Sequence, residues 1–299
     1  MSKIKYFSEN LKVQNKTIIL RLDLNVPLKE KKIQDTSRVL TSLPFIKDLI
    51  NKKAKIVIVS HLGRPKGKKN SELSLAPIYK FLKDQLETNV YFFMGDINEE
   101  TKNKFAYLKE GEIILLENVR FFEGENKNDD NFAKKLASLG DIYINDAFSC
   151  SHRAHSSIYE LPKFLPSYSG LQLNSEIYAL KRLTSEIKQP TTCIIGGSKI
   201  STKINVIKNL ITKFDNLIFV GGMANNILKN RNYQIGKSIF EVNCEDIVEN
   251  IFTLSKKENC NLIYPVDVSV SKEINGSGSI KKISEILEDD LILDIGPET

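Results

Sequence analysis

Apolar residues along this chain fall into two kinds of run. The first kind is short, continuous and rich in β-branched residues: 17–22 (TIILRL), 56–59 (IVIV), 90–93, 113–116 (IILL), 141–145, 192–195, 217–220, 262–266 and 291–293. Their length and branching predict strands buried on both faces, the habit of a parallel sheet. The second kind recurs at helical spacing. Val39, Leu43, Ile46, Leu49 and Ile50 predict a helix over 37–52, with Asp35 or Thr36 as its cap. Further helices are predicted over 75–86, 130–139, 172–187 and 244–257, and two more follow the glycine pairs at 196–197 and 221–222. Strands alternating with helices specify βαβ units, hence an α/β fold on parallel sheets. Pro162, Pro166 and Gly170 mark 161–169 as a boundary, and the long helix that follows, ended by Pro190, connects two domains.

The polar residues that end these strands are where the chemistry is expected. After 56–59 comes Ser60-His61-Leu62-Gly63-Arg64-Pro65, in which Gly63 and Pro65 turn the run into a loop. In open α/β sheets ligands bind outside the carboxyl ends of the strands, so His61 and Arg64 are placed to hold an anion. The runs ending at Glu117 and Asn145 likewise lead to Arg120 and Arg153, while Arg21 and Arg38 frame the first strand. Composition sharpens this. Of 43 basic residues only seven are arginine (Arg21, Arg38, Arg64, Arg120, Arg153, Arg182, Arg231), and His61, His152 and His155 each lie within three residues of one of them. The guanidinium fork suits phosphate and carboxylate in a way an ammonium does not, so arginine in a lysine-rich chain marks a need for geometry.

The second half offers GGSKISTK after one strand and GGMAN after another. A glycine pair between strand and helix lets backbone N–H groups approach a phosphate. Lys199 and Lys203, four apart, are expected on the first turn of the following helix, where the dipole repels cations and an anionic partner is called for. The spacing is not that of a P-loop or a dinucleotide fingerprint, and neither zinc spacing nor a nucleophile elbow occurs. The net charge of +6 is interrupted by acidic residues and lacks aromatic-laced basic stretches, which counts against nucleic acid as a partner. No apolar run reaches membrane-spanning length, and residues 1–20 lack a secretory pattern, so no membrane association and a cytoplasmic location are expected. Cys150, Cys193, Cys244 and Cys260 form no C-x-x-C pair and read as reduced, mostly buried thiols.

Eight collinear motifs together resemble the phosphoglycerate kinase family: RLDLNVP (21–27), SHLGRPKG (60–67), LLENVRF (115–121), NDAFSCSHRAHSS (145–157), GGSKISTK (196–203), GGMAN (221–225), YPVDV (264–268) and DIGPET (294–299). The resemblance implies two Rossmann-like three-layer domains: a phosphoglycerate-binding domain at 1–168, an interdomain helix and hinge at 169–187, and a nucleotide-binding domain at 188–299. It implies reversible phosphoryl transfer from 1,3-bisphosphoglycerate to ADP, giving 3-phosphoglycerate and ATP. Mg2+ would arrive as the nucleotide complex, with no metal ligand from this chain. By motif match, Asp23, Leu24, Asn25, Arg38, His61, Leu62, Gly63, Arg64, Arg120 and Arg153 would bind phosphoglycerate. Gly197, Lys199, Lys203, Gly221 and Gly222 would bind nucleotide, and Arg38 and Lys199 would stabilise the transferring group. The family also implies a monomer whose domains hinge shut. The acceptor in the reverse reaction is a carboxylate, already deprotonated at neutral pH, so positioning and charge stabilisation suffice without a general base.

Two departures from the family pattern accompany the resemblance. Val220 stands where many members carry a third glycine. The pattern also continues for roughly a hundred residues past DIGPET, so the second domain is expected to be incomplete, with the faces of 217–220 and 291–293 partly uncovered. A truncated, weakly active or inactive phosphoglycerate-binding fragment is the alternative expectation.

Overall fold

The apolar runs of the first half become neighbours in a single sheet. The computed structural model describes residues 4–184 and 188–299 and divides into two units, Met1–Leu180 and Lys181–Thr299. The first unit runs β1 (Thr17–Leu22), a hairpin of β2 (Leu28–Lys29) and β3 (Lys32–Ile33), α1 (Ser37–Asn51), β4 (Lys55–Val59), α2 (Ala76–Gln85), β5 (Val90–Phe93), α3 (Glu99–Ala106) and β6 (Ile113–Leu116). It continues through α4 (Glu123–Asn126), α5 (Asp130–Ala137), β7 (Ile142–Asp146), β8 (Ser167–Ser169) and α6 (Leu171–Thr184), which runs across the division. The last three residues of the predicted 172–187 helix lie outside the described residues.

The sheet order is β5-β6-β4-β1-β7-β8, parallel throughout. Alternate residues of a strand point to opposite faces. Ile18, Leu20, Ile56 and Ile58 therefore meet Val39, Ile46 and Leu49 of α1 and Ile78 and Leu82 of α2. Ile19, Val57 and Val59 meet Phe105 of α3 and Phe132 and Leu136 of α5 on the other face. That makes three layers. Strand order reverses at β1, with β4 on one side and β7 on the other, so their carboxyl ends open a crevice. The run 161–169, expected as a boundary, supplies the edge strand β8 of this sheet.

The second unit begins with β9 (Thr192–Gly196), α7 (Ile204–Ile211), β10 (Asn216–Val220), α8 (Gly221–Asn230), α9 (Glu245–Lys257) and β11 (Asn261–Ile263). Its parallel sheet, β11-β10-β9, packs Leu217 and Phe219 against Ile207, Met223, Ile227, Val248 and Ile251. The chain then departs from the sequence expectation. The predicted strand 262–266 ends early near Pro265, and a separate antiparallel sheet, β13-β12-β14, follows from β12 (Asp267–Ser271), β13 (Ser279–Lys282) and β14 (Leu291–Ile295). The run 291–293 is thus antiparallel. Apolar Val268 and Val270 alternate with polar Asp267, Ser269 and Ser271, the period-two signature of such a strand. Gly236 bridges to Leu291 with φ +57, and a Cβ there would lie 2.2 Å from the Asp290 carbonyl oxygen, so only glycine fits.

Candidate active site

At the carboxyl ends of β1, β4 and β6, side chains and backbone hold one another in place. The Ser60 hydroxyl donates to the Leu22 carbonyl (2.8 Å) and accepts the Leu24 N–H (3.0 Å), while Asn25 Oδ1 accepts the Gly63 N–H (2.8 Å). Asn118 Nδ2 donates to the Leu62 carbonyl (2.7 Å), and Arg120 Nη1 to that of Gly63 (2.8 Å). Leu24 and Leu62 are core residues, so of the predicted ligand contacts these two have only backbone to offer. Gly63 has φ +60, as the turn after β4 demands.

The arginines divide into two groups. Arg64 is exposed and Arg153 half-buried, and with Lys66, Arg120 and His155 they line an open cleft of about 340 Å3. Lys66 was not singled out from sequence, where it reads as one lysine of a Lys/Gly-rich loop. Arg120 is buried, which lowers its pKa, and its Nε has no hydrogen-bond partner. Arg38, in the first turn of α1, pairs with Asp23 at 2.7 Å and remains half exposed. Ser149 also donates to Asp23. The N-cap position of α1 is Thr36, without a side-chain cap, and just ahead of it the Asp35 carboxylate takes the Ser37 hydroxyl (2.5 Å) and N–H (2.8 Å) and is thereby held below the usual carboxylate range.

Arg21 belongs to the second group. It frames β1 as expected, yet it is 1% exposed and spends its donors inward, on the Leu22 carbonyl, the Ser157 hydroxyl (3.1 Å) and His61 Nδ1 (3.1 Å). It is a core residue rather than a surface contact. His61 is 4% exposed. Burial, then Arg21, Arg120, His155 and Arg153, push its pKa down to about 2, so it is neutral and does not hold an anion as a cation would. Burial and the same arginines push His155 down to about 4.

In the second unit the two glycine pairs pack on each other. The Met223 N–H donates to the Gly197 carbonyl (2.9 Å), and a Cβ on Gly222 would come within 3.0 Å of that oxygen. Gly197 and Gly221 have φ +147 and +61. Lys199 and Lys203 are exposed, but the helix expected to carry them is replaced by a 3-10 turn, Ser201–Lys203, ahead of α7. Sequence reasoning also missed Glu241. Its carboxylate accepts the Ser201 hydroxyl (2.5 Å) and N–H (3.0 Å), is held below the usual range by them, and lies near enough to Lys199 to interact with it. Part of the anion Lys199 calls for is therefore supplied by the chain, 40 residues beyond Ser201 and without a local signal. Beside Gly221 and Gly222, Ile239, Pro265, Val268 and Leu293 line a mostly apolar cavity of about 200 Å3.

Asp23, His61 and Cys150 bring potential ligand atoms within 4.8 Å of one another. Those atoms already face Arg21, Arg38 and Ser149, and magnesium calls for a shell of hard oxygens. The trio does not fit magnesium.

Three parallel strand ends carrying guanidinium groups, and a second α/β unit with paired glycines and flanking lysines, define a protein of the class that handles phosphorylated ligands. The profile described as phosphoglycerate kinase matches residues 8–299. The chain is 46% identical over 292 residues to a phosphoglycerate kinase of Wolbachia sp. subsp. Drosophila simulans (strain wRi), covering 97% of this chain and 73% of that one. It is 43% identical to that of Dictyoglomus turgidum, covering 96% and 73%. Among solved structures, phosphoglycerate kinase from Coxiella burnetii superposes with a TM-score of 0.83 at 37% identity, over 97% of this chain and 74% of that chain. The chain belongs to the phosphoglycerate kinase family.

Proposed function

We propose that this chain transfers a phosphoryl group between 1,3-bisphosphoglycerate and ADP, giving 3-phosphoglycerate and ATP. The observation that carries the reading is the gathering of Arg64, Arg120 and Arg153 on one cleft beyond parallel strands, with Arg38 and Asp23 beside β1. These residues, with Asn25, His61 and the backbone of Leu24, Leu62 and Gly63, hold phosphoglycerate in the first unit. Gly197, Lys199, Lys203, Gly221 and Gly222 hold the nucleotide in the second, and the apolar cavity beside the glycines suits its base. The nucleotide enters as its magnesium complex, a substrate rather than a resident metal. Arg38 and Lys199 stabilise charge on the transferring group, and no general base is required: the ADP phosphate that accepts it in the forward direction and the carboxylate that accepts it in reverse are both ionised at neutral pH.

A glycolytic role in the cytoplasm as a monomer is part of the same reading. No helix among the described residues is long and apolar enough to cross a membrane. Coupled assay of ATP formation by the 299-residue chain tests the activity. Turnover that falls in Arg38→Lys and Lys199→Ala supports it. Binding of 3-phosphoglycerate without any turnover would reduce the protein to a binding module.

A further inference from the structure

Behind the strand ends a line of buried groups leads to His61. Glu125 of α4 is fully enclosed, and its two oxygens accept the Ser157 hydroxyl (2.7 Å) and N–H (2.8 Å). The Ser157 oxygen accepts Arg21 Nε–H at 3.1 Å, and Arg21 Nη2 lies 3.1 Å from His61 Nδ1. A guanidinium has donors only and does not deprotonate in a protein. Nδ1 is therefore the acceptor, and the imidazole proton sits on Nε2. No described residue takes Nε2, and it is not among the fully buried atoms without a partner.

We propose that Glu125, through Ser157 and Arg21, fixes His61 as the neutral Nε2–H tautomer, so that the phosphoglycerate site gains a directional hydrogen-bond donor there instead of another cation. The opposite tautomer would turn a lone pair toward the ligand's oxygens and repel them. Arg21 and Glu125 are then positioning residues. The proposal rests on reading His61 as a phosphoglycerate contact.

The surroundings agree with this assignment. Arg21, Arg120, Arg153 and His155 all act against a charge on His61, while Asp23 and Cys150 are its other ionisable neighbours. Glu125 faces the buried guanidinium: burial raises its carboxyl above the ordinary range, and Arg21, Ser157 and Arg120 offset only part of that rise. His155 Nδ1, 3.7 Å from Glu125, stays largely neutral above its lowered pKa of about 4.

With only three histidines, long-range 1H–15N correlation spectra of the labelled full chain resolve each ring. His61 is expected as the Nε2–H tautomer, unchanged between about pH 5 and 8. An Nδ1–H tautomer, or titration near the ordinary histidine value of 6.5, overturns the proposal. In Arg21→Lys the ring is expected to mix tautomers, with KM for 3-phosphoglycerate raised ~10-fold and kcat within ~2-fold. A ring still fixed on Nε2–H with unchanged KM overturns the role given to Arg21. Should that variant not fold, Ser157→Ala carries the same expectation at smaller size. Adding 3-phosphoglycerate to the wild-type chain should move the Nε2–H resonance. If the tautomer is as stated and that resonance stays put, the contact with phosphoglycerate falls and the tautomer assignment stands.

Discussion

Strands β4 and β9 are nearly interchangeable as sequence, KIVIV against TCIIG, and opposite in circumstance. In β4, Ile56, Val57, Ile58 and Val59 are all 0% exposed, with a strand on each side and helices on both faces. In β9, Ile194 is 66% exposed, and among the described strands only β10 pairs with it. Apolar content does not bury a strand; its neighbours do. The candidate residues of the two units differ in the same way. Arg120 of the first unit is buried and bonded to the strand-end framework, whereas Lys199, in the loop after β9, and Lys203, at the end of a short turn, are both exposed without such support.

Each of the following changes breaks or sharpens that comparison. Ile58→Ala should cost about 2–5 kcal/mol in urea unfolding, while Ile194→Ala should stay within about 0.5 kcal/mol. Equal losses would mean that β9 is covered in solution. Arg38→Lys should lower kcat by about 10²–10³-fold with an unchanged unfolding midpoint, since charge remains and only the fork is lost. Unchanged turnover would remove Arg38 from the chemistry. Gly236→Ala should cost about 1–3 kcal/mol, because the added methyl forces the turn off the Asp290 carbonyl; a neutral result in thermal unfolding would show that turn to be soft.

The smallest effects expected are in pH dependence, and they run in opposite directions. In the second unit burial raises the Asp290 pKa, but Lys272, Lys281 and the Leu287 N–H outweigh it and hold the carboxyl far below its ordinary 3.8. Its contribution to stability is present above that value and fades as pH falls through the folded-state pKa. In the first unit, burial raises Asp146 to about 6 although the Leu173 and Gln172 N–H groups pull it down. The folded state then holds its proton more tightly, so the contribution is full below 3.8 and is lost as pH rises through about 6. Hydrogen exchange read for each unit from about pH 1.5 to 7 checks both signs, and Asp146→Asn should flatten the upper window only.

Much of the first unit was legible because local pattern and environment agree there. The strand runs, the helix over 37–52 and the arginines past three strand ends all fall where periodicity and turn residues put them. The burial of Arg21 was not legible, for a physical reason. Its position in β1 alternates with Leu20 and Leu22, which sends it to the opposite face, and the groups that make burial tolerable, Ser157 and Glu125, are distant in sequence. Glu241 escaped for the same reason. The antiparallel sheet was legible in principle, from the alternation across 267–271, but Pro265 and the short apolar run before it drew the strand too far forward.

The bonds joining Ser60, Asn25, Gly63, Asn118 and Arg120 also bear on how this chain tolerates change in length. Surface loops ordinarily accept insertions more readily than the elements they connect. Here one residue added between His61 and Arg64 would shift the Gly63 amide away from Asn25 and its carbonyl away from Arg120 at a stroke. The segments that look most like loops should accept insertions and deletions as poorly as the sheet does, and variation in length should instead gather in segments such as 275–278, where every residue is polar or glycine and none is buried.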